Sequence, residues 1–180
     1  MAETFNPSEL ADEARRAYDG GDYLEAARLF TAAEQGFDLG DDPCQAAEMA
    51  NNCSVALLQA GEPHAALQAL EGREGVFERA GDLKRLGMTW GNRGMALEAL
   101  KQYDLALQAY HQASDLFKQI GENELYTTTM QSISALQLRT NRPLEAVASM
   151  QAGLDQVKKP GIRQRLLKRL LDLPSHLLNR

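Results

Sequence analysis

The side chains in this sequence that could carry out thiol, metal or acid–base chemistry are few and far apart. Cys44 and Cys53 lie nine residues apart on one predicted helix, about 13 Å along its axis at roughly 1.5 Å per residue. That exceeds the Cα separation of about 7 Å that a disulfide bond allows. His64, His111 and His176 fall in different predicted segments without the spacing of zinc ligands. We therefore expect reduced cysteines, no metal ion and no cofactor.

No catalytic motif is present in the sequence. It contains no Gly-x-x-x-x-Gly-Lys-Ser/Thr phosphate loop, no His-Glu-x-x-His, no Gly-x-Ser-x-Gly and no Cys-x-x-Cys. Gly87, Gly91 and Gly94 fall inside a helical period and follow no strand. We interpret them as positions of close helix packing that also keep the wall of a groove low. The chain is therefore not expected to be an enzyme.

Hydrogen bonding is the chemistry that the residue spacing supports. Asn52 and Asn92 are 40 residues apart, and Asp12 and Ser132 hold the equivalent positions before and after them. An asparagine amide offers a donor and an acceptor, so it can pair with the N–H and C=O of one residue in an extended peptide. Alternatively, these amides satisfy backbone groups of neighbouring helices.

The same 40-residue spacing runs through nearly the whole chain. An alanine recurs at this interval, and a large apolar residue follows four positions after it each time. A fixed period in this range is typical of stacked helical repeats. Small residues hold a second recurring position, where two helices can approach closely: Ala14, Ser54, Gly94 and Ser134. The recurring alanines are Ala26, Ala66, Ala106 and Ala146.

The third copy resembles the tetratricopeptide repeat. Trp90, Gly94 and Leu97, followed by Ala106 and Tyr110, match the pattern of that family, and the other copies are degenerate. The period is longer than the family's usual 34 residues. This longer form is similar to the repeats of spindle-orientation adaptors, kinesin light chains and bacterial peptide-pheromone receptors. The resemblance implies a right-handed α-solenoid that binds proteins or peptides on its concave face.

The predicted fold is all-α, with four tetratricopeptide-like helix pairs and a C-terminal capping helix in one domain over residues 1–180. Asn6-Pro7 and Asp42-Pro43 mark helix starts. A glycine and an acidic residue mark joints at Gly81 and Gly121, whereas Gly40 is one residue out of register. The predicted helices are 7–20, 22–37, 43–60, 62–79, 82–100, 102–119, 122–140 and 142–157. They form repeats at about 7–40, 43–80, 82–120 and 122–157.

The segment 161–173 is predicted to be the capping helix. Its leucines fall on one half of a helical wheel and most of its charged residues on the other. A terminal repeat needs such a helix to cover its exposed apolar face.

The resemblance also selects groove residues, because the first helix of each repeat lines the concave face in this family. Amides and hydroxyls dominate the middle of the groove, and Met88 and Met95 add an adaptable apolar patch. Family members that clamp a terminal carboxylate use lysine and arginine where this chain has Ala11, Met88 and Asn92, so that ligand class is not expected. The predicted binding residues are Asn51, Asn52, Val55, Met88, Asn92, Met95, Thr128, Gln131, Ser132 and Arg139.

The net charge of −6 conceals an asymmetry between the ends. Residues 1–42 hold eleven acidic and three basic residues, whereas 158–180 hold seven basic and one acidic residue. Two alternatives follow: head-to-tail self-association, or a regulatory or nucleic-acid-associated module that uses the basic C-terminal helix. The basic end lacks interleaved aromatic residues, which argues against nucleic acid, and a solvated surface is the plainest interpretation.

No stretch approaches the roughly 18 consecutive apolar residues of a membrane span. The start of the chain, Met1 to Thr4, lacks the basic and apolar regions of a signal peptide. We therefore expect a cytoplasmic protein with no membrane partner. The predicted function is a non-enzymatic scaffold or adaptor that binds a protein or peptide segment in its groove.

Overall fold

The computed structural model describes residues 6–157 and 161–162, and these residues form nine helices and no strand. Of the eight helices predicted between residues 7 and 157, seven appear with ends that agree to within two residues, and helix 62–79 is broken into two. The predicted capping helix at 161–173 lies almost wholly outside the described residues. The helices are α1 (Pro7–Asp19), α2 (Tyr23–Leu39), α3 (Pro43–Gln59), α4 (Pro63–Ala69), α5 (Arg73–Ala80), α6 (Leu83–Ala99), α7 (Tyr103–Ile120), α8 (Asn123–Arg139) and α9 (Pro143–Asp155).

The helix starts follow from the predicted caps. The Asn6 side-chain oxygen accepts a hydrogen bond from the Ser8 N–H at 3.0 Å, and Asp42 accepts one from the Gln45 N–H at 3.1 Å. A proline follows each cap in the first turn, where a missing N–H costs least.

A left-handed backbone residue lies at each joint, and these residues also recur every 40 positions. Gly21, Gly61, Lys101 and Asn141 have positive φ between the helices of a pair. Asp41, Gly81 and Gly121 have positive φ between one pair and the next. Gly40 is one residue out of register, as the sequence indicates, because Asp41 holds the left-handed position of the first of these joints. Aspartate is one of the few residues that tolerate this conformation, because its short polar side chain can bond locally, so Asp41 replaces glycine there and keeps the register.

The helices cross closely at the recurring small residues. All four recurring alanines are at most 1% exposed. A methyl group added at Gly94 would lie 2.6 Å from the Tyr110 ring, so α6 and α7 leave no room there for any side chain. Trp90, by contrast, is only half-buried and packs against two clusters of buried residues.

The second repeat departs from the predicted pattern, because helix 62–79 is broken. It ends at Ala69 and resumes at Arg73, and Gly72 between them has φ +75°. The other repeats have small buried residues where this one has Arg73: Ala33, Ala113 and Gly153. A continuous helix would bury a guanidinium at that crossing. The break instead lets Arg73 pair with Glu34 of the first repeat.

Within the described residues, most of the buried apolar side chains fall into three clusters. One joins α1, α2 and α3, and a second joins α6, α7 and α8. The third is small and consists of Ala47, Phe77 and Leu86. This small cluster lies between the two large ones, where α3 and α6 also contact each other through Asn51 and Thr89.

Replacement of Ala106 by leucine tests the close crossing. Because the site is fully buried against neighbouring helices, we expect Ala106→Leu to lower the free energy of unfolding by about 1–3 kcal/mol through overpacking. Urea unfolding followed by circular dichroism measures the change. Ala135→Leu, on the exposed side of α8, is the control and should change stability by no more than about 0.5 kcal/mol. An Ala106→Leu protein as stable as wild type would contradict the tight crossing.

Candidate functional site

The predicted binding residues lie on the first helices of the repeats, α3, α6 and α8. We call the exposed side of α1, α3, α6 and α8 the first-helix surface. Three cavities of about 320, 290 and 380 Å³ open along it. Six of the ten predicted residues line them: Asn52 and Val55 the first, Met95 and Arg139 the second, Thr128 and Gln131 the third.

The first cavity has an aromatic lining. The buried ring of Phe30 and the side chain of Tyr18 line it together with Val55. Tyr18 makes an edge-to-face contact with Tyr23, with ring centroids 5.3 Å apart, which fixes its orientation. Asn52 adds an amide to the same cavity. The cavity can therefore accept an apolar side chain while offering a hydrogen-bonding group beside it.

The second cavity occupies the equivalent place two repeats later. Tyr110 holds the position of Phe30, and Glu98 holds that of Tyr18. The Tyr110 hydroxyl donates to Glu98 at 3.0 Å, and Arg139 donates to the other Glu98 oxygen at 2.8 Å. Burial, together with the Glu98 carboxylate, raises the pKa of Tyr110 well above its ordinary value. Tyr110 is therefore a neutral donor, and it and Arg139 both bind the carboxylate.

The middle of the surface is formed by α6. Met88 is 42% exposed and Met95 is 40% exposed, and Gly91 and Asn92 lie between them on the same face of the helix. Gly91 differs from the other two glycines of this helix, since a methyl group there would meet no atom within 4 Å. At Gly87 the same group would lie 2.7 Å from the Phe117 ring. Close packing therefore explains Gly87 and Gly94, whereas Gly91 only leaves the outer side of the helix low.

The asparagines of α3 and α6 fall into two classes. Asn52 and Asn92 are half-buried, and neither side chain makes a hydrogen bond within the part of the chain that the structure describes. Asn51 is only 5% exposed and donates to the Thr89 hydroxyl at 2.9 Å, joining α3 to α6. Asn51 therefore packs beneath the surface, unlike the other predicted residues of α3.

The residues of α8 extend the polar surface. Thr128 and Gln131 are exposed, and Ser132 is half-buried. The Ser132 hydroxyl donates to the Thr128 carbonyl at 3.4 Å, a long bond that a ligand can replace. Below this surface, α8 and α9 are joined by buried hydroxyls, as where Ser149 donates to Gln137 at 2.8 Å.

Sequence reasoning missed Tyr18 and Phe30 as lining residues of the first cavity. The 40-residue alignment does place Tyr18 and Glu98 at one recurring position of the first helix. The alignment therefore marked this position, but an aromatic ring and a carboxylate have such different chemistry that it did not indicate a common cavity.

A fourth cavity of about 450 Å³ lies between α6 and α7, away from the other three. Trp90, Leu97 and Leu105 line it together with Gln108 and Gln112. Arg93 lies beside it, 5.8 Å from the centre of the Trp90 ring, and is paired with Glu74 of the broken helix. These contacts hold the cation against the repeat interface.

The described residues contain no group of three or more metal-ligating side chains that could hold an ion. Cys53 is buried, and its thiol contacts the Thr31 hydroxyl at 3.4 Å. Burial raises the pKa of this thiol. Its environment therefore favours the unreactive thiol over the thiolate.

Residues 85–159 match the family model described as tetratricopeptide repeat, a range that covers most of α6 and all of α7, α8 and α9. No curated protein matches the chain. None of the described helices combines the length and apolar character needed to cross a membrane.

The bond between Asn51 and Thr89 should contribute to stability and not to binding. We expect Asn51→Ala and Thr89→Val to be coupled by about 1 kcal/mol in the free energy of unfolding, because each removes one partner of a buried hydrogen bond. A double-mutant cycle with urea unfolding measures this coupling. Additive effects of the two substitutions would show that the bond does not hold α3 against α6.

Proposed function

We propose that this protein is a non-enzymatic scaffold that binds an extended protein segment along the first-helix surface. Residues 85–159 match the tetratricopeptide repeat family, whose members generally mediate protein–protein interaction. The observation that carries this proposal is the pair of equivalent asparagines, Asn52 and Asn92. Both face the surface with unpaired amides among the described residues.

Unpaired amides support a ligand-binding role because their donor and acceptor are not used within the described fold and remain available to a ligand. An amide can give and accept one hydrogen bond each with the main chain of a bound segment. Main-chain recognition of this kind holds an extended segment whatever its side chains are, and neighbouring pockets then select the side chains.

The spacing of the two asparagines suits an extended segment. Helices α3 and α6 are in direct contact through Asn51 and Thr89, and packed helix axes lie roughly 8–10 Å apart. An extended chain advances about 3.3 Å per residue, so about three ligand residues separate the two amides.

In this proposal the four helix pairs form one binding unit, with α4 and α5 together as the second helix of the second pair.

The free thiols of Cys44 and Cys53 support the proposal that this adaptor works in the cytoplasm. Thiols stay reduced in that compartment, whereas oxidising compartments favour disulfide bonds.

Loss of either surface amide should weaken binding without unfolding the protein. The probe is a fluorescent peptide selected from a displayed random library on the wild-type protein. We expect Asn52→Ala and Asn92→Ala each to weaken the binding free energy by roughly 1–3 kcal/mol, because ligand main-chain groups lose their partners. Calorimetry measures affinity, and circular dichroism checks the fold.

Gln119→Ala, which removes an exposed amide on α7, is the matched control and should leave affinity unchanged. If selected peptides bind the double variant as tightly as wild type, the first-helix surface is not the binding site.

A further inference from the structure

Gly91 lies in the middle of α6 at a place where nothing in the described fold requires glycine. Its backbone has no positive φ, and an added methyl group would meet no atom within 4 Å. The neighbouring glycines do have such a reason, since a methyl group would collide with an aromatic ring at Gly87 and at Gly94. Alanine is a much better helix former than glycine. The glycine at position 91 therefore lowers helix stability without any compensating contact in this structure.

The space above Gly91 is bounded by apolar side chains. Met88 precedes it by three residues and Met95 follows it by four, so all three lie on one face of α6. Both methionines are about 40% exposed. Flexible thioether side chains on either side of a missing side chain form a shallow notch across the helix.

We propose that the ligand main chain crosses α6 directly over Gly91, and that the ligand there is an uncharged segment whose apolar side chains pack on Met88 and Met95. The inference rests on the proposed function and specifies the chemistry of the segment. Asn92, next to the notch, lies where it can bond to that main chain.

The charges of the first-helix surface support an uncharged ligand. Its three arginine pairs are internal: Arg15 with Asp12 at 2.5 Å, Arg139 with Glu98 at 2.8 Å, and Arg85 with Glu48 at 2.8 Å. A ligand carboxylate would have to compete with an existing partner for each guanidinium. A ligand cation over α6 would meet Glu48 and Glu98, which are already paired. Two carboxylates without a partner among the described residues, Asp19 and Glu124, line the first and third cavities on α1 and α8. Neither charge therefore gains much at α6.

The Gly91→Ala substitution separates a binding role from a structural one. We expect it to raise the Tm by about two to four degrees, because alanine favours the helix, and to weaken binding of a library-selected peptide at least about tenfold, because the methyl group fills the notch. Gly75→Ala in α5 is the control, since that glycine meets only the end of the Arg79 side chain. It should leave affinity unchanged.

Unchanged affinity of Gly91→Ala, or a Tm that falls, would overturn the role of the notch. The first result means that the ligand does not pass over Gly91, and the second means that the glycine serves packing.

The charge of the ligand segment over α6 is tested with a displayed library of random six-residue peptides, which span about 20 Å when extended. On the wild-type protein we expect enrichment of uncharged, apolar peptides whose affinity changes by less than about twofold between low and high salt, since screening acts on charge pairs. The Glu98→Gln variant keeps an acceptor for Tyr110 but leaves Arg139 without its carboxylate. We expect its selected peptides to shift towards acidic residues.

The outcomes distinguish this inference from the proposed function. Acidic or basic peptides selected on wild type, with salt-sensitive affinity that depends on Asn52 and Asn92, would overturn the ligand class alone. Selected peptides that ignore both asparagines would overturn the proposed function itself.

Discussion

Close helix crossing at small residues is the constraint on which the rest of the structure depends. Ala106 is fully buried, and the space beside Gly94 is filled by the Tyr110 ring. With so little separation between α6 and α7, only one rotation of each helix avoids a clash. That rotation is what presents Met88, Asn92 and Met95 on the outer side of α6. The surface chemistry is thus a consequence of packing on the opposite side of the same helix.

The ion pairs between repeats follow from the same periodic packing. Lys84 pairs with Glu122, and Arg142 pairs with Asp104, each across 38 residues of sequence. Partly exposed pairs of this kind contribute little to stability individually. Their arrangement still matters at the first-helix surface, where Glu98 and Arg139 are 41 residues apart and neutralise each other. One repeat thereby sets the charge that its neighbour presents.

Within the described residues, the sequence period predicted the order of the helices and all of their ends except the break in the second repeat, because equivalent residues in a repeat array have equivalent surroundings. It did not predict the burial of Asn51. Positions 51 and 52 differ by about 100° around the helix, and the partner that draws Asn51 inward, Thr89, belongs to the next repeat. The break at Gly72 had a local sign, an arginine at a position that is otherwise alanine or glycine. Its resolution depends on distant partners, since Arg73 pairs with Glu34 and Arg93 donates to the Leu70 carbonyl at 3.3 Å.

The broken helix also has a mechanical consequence. The large buried clusters of α1 to α3 and of α6 to α8 are joined partly through the small group around Phe77 and partly through ion pairs at the break, where Arg73 pairs with Glu34 and Glu74 pairs with Arg93. Contacts between neighbouring repeats stabilise a repeat array, and these two ion pairs connect the second repeat to both of its neighbours. A force that separated the second repeat from the third would pull Asn52 away from Asn92, so in the proposed function it would disrupt the binding surface.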